Sequence, residues 1–206
     1  MYEKYIKRLL DIIISLFALI ILSPIFLIIS ILVLIFLGKP VIFKQERPGK
    51  YEKIFTLYKF RTMTDKKDKN GKLLPDEVRL TKYGKFLRKS SLDEIPEFIN
   101  ILKGDMSLIG PRPLAVSYLP YYNKKEKHRH DIRPGLTGLA QVNGRNGLQW
   151  EKRFEYDLNY VENVSFILDM KIVFLTIKKV LKSSDIAVRG TGQIIDFDKY
   201  RGKIEC

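Results

Sequence analysis

Residues 12–37 read IIISLFALIILSPIFLIISILVLIFL, and the reading of this stretch decides the fold. It holds no charged side chain; the 37 Lys and Arg and the 23 Asp and Glu of the 206-residue chain all lie outside it. The run is too long for a signal-peptide core, and no small-residue cleavage site follows it. As a straight helix it would extend about 39 Å against a hydrocarbon core of about 30 Å, so a tilted spanning helix is one reading. Two features oppose that reading. Pro24, preceded by Ser23, sits at the midpoint, removes the bond to the Ile20 carbonyl and bends the helix. The Ser23 hydroxyl offers the freed backbone a partner within lipid. Basic residues also flank both ends, with Lys4, Lys7 and Arg8 before the run and Lys39, Lys44, Arg47, Lys50 and Lys53 after it. Flanks rich in Lys and Arg stay cytoplasmic. A re-entrant helix–break–helix with its vertex at Ser23-Pro24 satisfies both ends. Asp11 either pairs with the adjacent basic residues or is solvated at the interface.

Outward from this stretch the chain is polar and basic. With 46% hydrophobic and 29% charged residues it can bury a core of its own, and disorder is excluded. The lone Cys206 excludes an internal disulfide framework and fits a reducing compartment. The β-rich runs VIFKQ (41–45) and KIFTLYKFRTM (53–63), separated by Arg47-Pro48-Gly49-Lys50, predict a hairpin. A charged loop around Asn70-Gly71 follows at 65–76. Residues 77–103 read as two helical pieces. Residues 166–182 (FILDMKIVFLTIKKVLK) read as a helix that is either core or interfacial, with lysines toward anionic headgroups. The expected fold is α+β and mostly helical: a re-entrant membrane helix over 1–38, a basic domain over 39–182 with a small antiparallel hairpin and interfacial amphipathic helices, and a polar tail over 183–206.

The chemistry concentrates in Ser90-Ser91-Leu92-Asp93-Glu94-Ile95-Pro96. Ser91 and Glu94 match a capping box, although Pro96 fits a helix starting nearer Ile95. In either register Asp93 and Glu94 lie at a helix N-terminus, where acidic residues commonly serve only as dipole partners. Their setting favours more. Arg88 lies just upstream, and arginines recur at 61, 79, 112, 129, 133 and 145. Adjacent carboxylates among arginines suit metal-assisted phosphoryl chemistry: one holds Mg²⁺, the other attacks phosphorus, and guanidinium groups neutralise phosphate oxygens. Gly110-Pro111-Arg112-Pro113 holds an arginine between two fixed φ angles. His128-Arg129-His130-Asp131 lacks zinc-ligand company and reads as surface histidines. The glycine-rich stretch 133–145 matches neither a P-loop nor a dinucleotide fingerprint.

Taken in order, Lys7-Arg8-x-x-Asp11, Ser23-Pro24, Lys59-Phe60-Arg61-Thr62-Met63, 91–96 (SLDEIP), 102–107 (LKGDMS), Gly110-Pro111-Arg112-Pro113 and 133–138 (RPGLTG) resemble the bacterial sugar transferases. Within that family the resemblance is specifically to the small monotopic phosphoglycosyl transferases of the PglC type, over roughly 1–182. The resemblance implies transfer of a sugar 1-phosphate from a UDP-sugar to undecaprenyl phosphate with Mg²⁺ and release of UMP, by ping-pong through a covalent phosphosugar on Asp93. UDP-diacetylbacillosamine or a related N-acetylated sugar would be the donor. It further implies Asp93, Glu94 and Arg88 as catalytic residues, with Asp93 and Glu94 at the metal. Lys59, Arg112, Pro113, Arg133, Arg145 and Asp157 would bind substrate. Ser23-Pro24 would be the membrane break, and Lys7 and Arg8 the headgroup anchor. The expected setting is the cytoplasmic face of a bacterial inner membrane, against an anionic bilayer, with a homodimer as one arrangement. Ile95 and Glu97 depart from the commoner residues of this family.

Two other readings fit less of the sequence. A membrane-anchored basic module that binds anionic lipid or nucleic acid explains a net charge of +14 but not Asp93-Glu94 amid arginines, so no nucleic-acid partner is expected. A polytopic transferase needs more hydrophobic segments than this one.

Overall fold

The computed structural model describes residues 2–144, 147–182 and 196–202. After a π-helical turn at Tyr2–Ile6, α1 (Lys7–Leu37) runs through Pro24 without a break in its helical assignment and stops at Gly38. Pro24 cannot donate to Ile20, and the Ser23 hydroxyl donates to that carbonyl instead at 2.8 Å. The central part of α1 is exposed and apolar, whereas its two ends are buried against the same domain. At the first end Arg8 donates to the Ile101 and Leu102 carbonyls (2.6 and 2.9 Å). At the second, Ile29, Val33 and Leu37 form a core with Phe60, Leu87 and Ile95.

The hairpin forms as expected, although its strands run longer before the turn and shorter after it. β1 (Ile42–Pro48) and β2 (Ile54–Phe60) pair antiparallel, with Phe43 opposite Lys59 and Pro48 opposite Ile54. Beyond the solvent-exposed loop, α2 (Asp76–Arg79) leads into α3 (Lys82–Ser90), whose N-cap is Thr81, accepting from the Gly84 amide at 3.0 Å. α4 (Glu97–Lys103) follows Pro96 directly, as the proline requires.

A second pairing carries no local signature. β3 (Ser107–Ile109) lies parallel to β4 (Gly135–Thr137), with α5 (Lys124–Lys127) in the intervening segment. The glycine-rich stretch serves this pairing. A Cβ on Gly135 would lie 2.0 Å from the Gly110 nitrogen, so two backbones meet where no side chain fits. α6 (Leu139–Gly144), α7 (Trp150–Glu162), α8 (Phe166–Lys182) and α9 (Phe197–Gly202) complete the domain. Trp150, Phe154 and Phe197 join Tyr118 and Tyr122 in an aromatic core. α8 is neither wholly core nor wholly interfacial. Ile172 and Asp169 face inward, while Ile167, Met170, Phe174 and Ile177 recur at helical spacing on an exposed face, with Ile167 81% exposed.

Several expectations need correction. The Ser91–Glu94 capping box does not form: Ser91 ends α3 in a left-handed conformation (φ 58°) and makes no side-chain cap. Lys7 and Arg8 do not reach toward headgroups. Lys7 is 7% exposed and pairs with Asp169 at 2.8 Å, while Arg8 caps the C-terminal carbonyls of α4. Asp11 is buried and accepts from the Ser107 hydroxyl (3.1 Å) and the Leu108 amide (2.9 Å). His130 is buried; only His128 lies at the surface. For Lys7, Arg8 and Asp11 the partner comes from a distant element, which local sequence does not reveal.

Candidate active site

Three elements converge on one partly buried group of charges. β2 supplies Lys59, whose neighbour Phe60 is locked in the core, so alternation turns the lysine to the other face. The left-handed Ser91 breaks the chain out of α3 and into a 3₁₀ turn, Leu92–Glu94, which presents Asp93 and Glu94. Ile95, packed against α1, pins that turn, and Glu97 opens α4 one residue after Pro96. The loop after β3 brings Arg112, held between Pro111 and Pro113.

Glu94 takes the cations. Its Oε1 accepts from Lys59 Nζ at 2.7 Å and from Arg112 Nη2 at 2.6 Å. Lys59 Nζ also lies 2.9 Å from Glu97 Oε1, as an ion-pair contact without hydrogen-bond alignment. Arg88 donates through Nε to the Thr62 hydroxyl at 3.0 Å. Asp93 is buried, yet among the described residues no side chain bonds its carboxylate.

The titration of the three acids follows from this placement. Burial tends to raise Glu94, but Arg112 and Lys59 outweigh it and hold the carboxyl well below the usual range. Asp93 is pushed up to about 6, first by burial and then by the charge of Glu94, with Lys59, Arg88 and Arg112 pulling back. Glu97 is pushed up to about 7 by burial, against Lys59.

Of the residues expected here, the structure brings together Asp93, Glu94, Lys59 and Arg112, with Arg88 close enough to act on Asp93. Pro113 is buried beside Arg112. Arg133 lies elsewhere: it donates to the Gly104 carbonyl at 2.9 Å and lines a water-sized cavity with Lys7, Asp11 and Ser107. Asp157 sits behind the site in an ion pair with Arg129. Arg145 lies outside the described residues. Glu97 was not anticipated as a site residue; the available signal was its position one helical turn after Glu94.

The chain matches the family model for bacterial sugar transferases over residues 2–183. It belongs to that family. The transferase is 56% identical over 181 residues to the uncharacterized sugar transferase EpsL of Bacillus subtilis, covering 88% of this chain and 90% of EpsL. It is 47% identical over 183 residues to a UDP-glucose:undecaprenyl-phosphate glucose-1-phosphate transferase of Klebsiella pneumoniae, covering 84% of this chain and 39% of that protein. Over 185 residues it is 37% identical to a UDP-N-acetylgalactosamine-undecaprenyl-phosphate N-acetylgalactosaminephosphotransferase of Aeromonas hydrophila, with coverage of 86% and 44%. The transferase thus spans about two fifths of the length of these two relatives with stated substrates.

Proposed function

We propose that this transferase moves a sugar 1-phosphate from a UDP-sugar to undecaprenyl phosphate in two displacements through Asp93. The observation that carries the proposal is the asymmetry of the two adjacent carboxyls: Glu94 holds Lys59 and Arg112, while Asp93 is buried beside them and, among the described residues, bonded to no side chain. In the first displacement an Asp93 oxygen attacks the phosphorus bearing the sugar. The P–O bond to the α-phosphate breaks, and UMP leaves with that electron pair. In the second, an oxygen of the lipid phosphate attacks the same phosphorus, and the Asp93 carboxylate is released. Arg112 and Lys59, with Arg88 nearby, offset the diphosphate charge that would otherwise repel an incoming carboxylate.

Mg²⁺ fits this donor set. Both protein cations on Glu94 go to Oε1, which leaves Oε2, and among the described residues no side chain bonds the Asp93 carboxylate. Among the described residues no three His, Cys, Asp or Glu form a metal cage. The protein would therefore contribute one or two carboxylate oxygens, as is usual where phosphates and water complete the shell. Bound there, the ion would neutralise phosphate charge and polarise the phosphoryl group.

The site would lie at the cytoplasmic face of the inner membrane. Supporting this are the attachment of both ends of α1 to one domain, the bend-prone Ser23-Pro24 at its centre, and the exposed apolar face of α8. For the donor, the relatives' names give glucose and N-acetylgalactosamine, and the likeness to the short PglC form adds UDP-diacetylbacillosamine. The test is UMP release from these three UDP-sugars in the presence of undecaprenyl phosphate. At least one donor should turn over, and Asp93→Asn should abolish release. Wild-type turnover by the mutant would remove Asp93 as nucleophile, and no release from any donor would remove the reading.

A further inference from the structure

Arg129 is 2% exposed, and each of its three guanidinium nitrogens has a partner. Nε and Nη2 donate to Asp157 Oδ2 at 3.1 and 2.8 Å, and Nη1 lies 3.3 Å from His130 Nε2. An arginine cannot accept, so that imidazole nitrogen is the acceptor and His130 is neutral. The rings of Tyr122 and Phe154 flank the guanidinium at 5.7 and 5.8 Å. One further donation remains: Nη2 reaches out of this pocket to the main-chain carbonyl of Arg112 at 2.8 Å.

That last bond connects a buried ion pair to the site. The acceptor peptide joins Arg112 to Pro113, and Pro111 precedes it, so both neighbours of Arg112 have fixed φ. With its carbonyl tied to Arg129, the Arg112 backbone has little freedom left, and its side chain meets Glu94 at 2.6 Å. Asp157 belongs to α7 (Trp150–Glu162), as does Phe154, so Arg129 links that helix to the backbone of an arginine at the dyad. If stability alone were at stake, a buried pair would give little advantage over apolar packing.

We propose that Arg129, anchored by Asp157, is a positioning residue for Arg112. Asp157 then acts on the reaction at two removes and does not touch substrate. This rests on the proposed sugar-phosphate transfer, and the test separates the two.

The measurement is a double-mutant cycle on kcat and KM for the UDP-sugar that the wild type turns over, with Arg129→Lys, Asp157→Asn and Arg112→Ala alone and in pairs. Lysine keeps the charge but cannot hold the Asp157 carboxylate and the Arg112 carbonyl in one planar fork. Each of Arg129→Lys and Asp157→Asn should lower kcat by about 10- to 100-fold, the scale of a small misplacement of a catalytic group. In the Arg112→Ala background the same changes should alter kcat by less than about 2-fold, because the residue they position is gone. A purely structural role would give losses that multiply in both backgrounds, and that result overturns the proposal. Failure of both single variants to fold in detergent, while Arg112→Ala folds, would assign the pair to the fold and overturn it as well. An inactive wild type would instead refute the transfer reaction itself.

Discussion

Glu97→Gln should make the protein more stable, and increasingly so as the pH rises. Glu97 is 1% exposed and touches a cation that Glu94 already holds. Burial raises it to about 7 from an ordinary 4.5. A carboxyl raised in the folded state favours folding below pH 4.5, where it is protonated in both states. That advantage is lost as the pH climbs through 7, because the unfolded chain ionises first. At pH 8 the fold therefore carries an ionised buried acid at a cost of up to about 3 kcal/mol, on the order of the raised titration. Glutamine keeps the shape and an oxygen for Lys59 without that ionisation. The expected gain is near zero at pH 4.5 and reaches about 6–12 °C in melting temperature at pH 8 for a chain of this size. Thermal melts of wild type and variant in the same detergent at pH 4.5, 6, 7 and 8 measure it. Equal melting at pH 8, or a less stable variant, would show that pairing with Lys59 outweighs burial and would refute the reasoning.

Other measurements bear on the site and the anchor. In the free enzyme kcat/KM should rise with pH through about 6, as Asp93, raised by burial and by Glu94, loses its proton; a flat profile between pH 5 and 8 contradicts an Asp93 nucleophile of that character. Removal of divalent ions with EDTA should abolish turnover and added Mg²⁺ restore it, whereas full activity in EDTA means that the protein cations alone offset the diphosphate. With Cys206 replaced, single cysteines at Lys4 and Lys39 should both react with an impermeant maleimide from the cytoplasmic side in inverted vesicles. Protection of Lys4→Cys there would restore a spanning helix.

What could be read from the sequence was local. The turn before Lys53 and Pro96 as the entry to α4 act through the dihedrals or missing donors of their own residues, and the structure places both accordingly; at Ser23-Pro24 the expected hydroxyl–carbonyl bond forms, while α1 continues through the proline. The family motifs also located Asp93, Glu94, Lys59 and Arg112. Missing from that reading were the contacts made across the chain. Nothing near Lys7 announces that it pairs with Asp169, 162 positions away, where the hydroxyls of Tyr2 and Tyr160 also converge at 2.7 and 2.6 Å. Basic residues flanking an apolar run invite a headgroup reading, yet here the run docks its first turn onto its own domain. The parallel pairing of β3 and β4 depends on two three-residue segments too short to show alternation. Arg129, between two histidines in a charged stretch, looks like surface until the fold closes Tyr122 and Phe154 over it.

The dyad shows why position mattered more than residue type. Asp93 and Glu94 are adjacent and similar in chemistry, the first buried and the second partly so; three cations act on Asp93 and two of these on Glu94 as well. Were the cations shared equally, both carboxylates would be ionised but paired, and neither would keep the basicity of a good nucleophile. Lys59 and Arg112 instead converge on one oxygen of Glu94, reached from β2 on one side and from the loop after β3 on the other. Glu94 thereby becomes a fixed negative charge, and that charge, added to burial, raises its neighbour. Under the proposed mechanism the division is chemical. Glu94 holds the cations in place, and Asp93 keeps the basicity that a carboxylate needs to attack phosphorus at neutral pH.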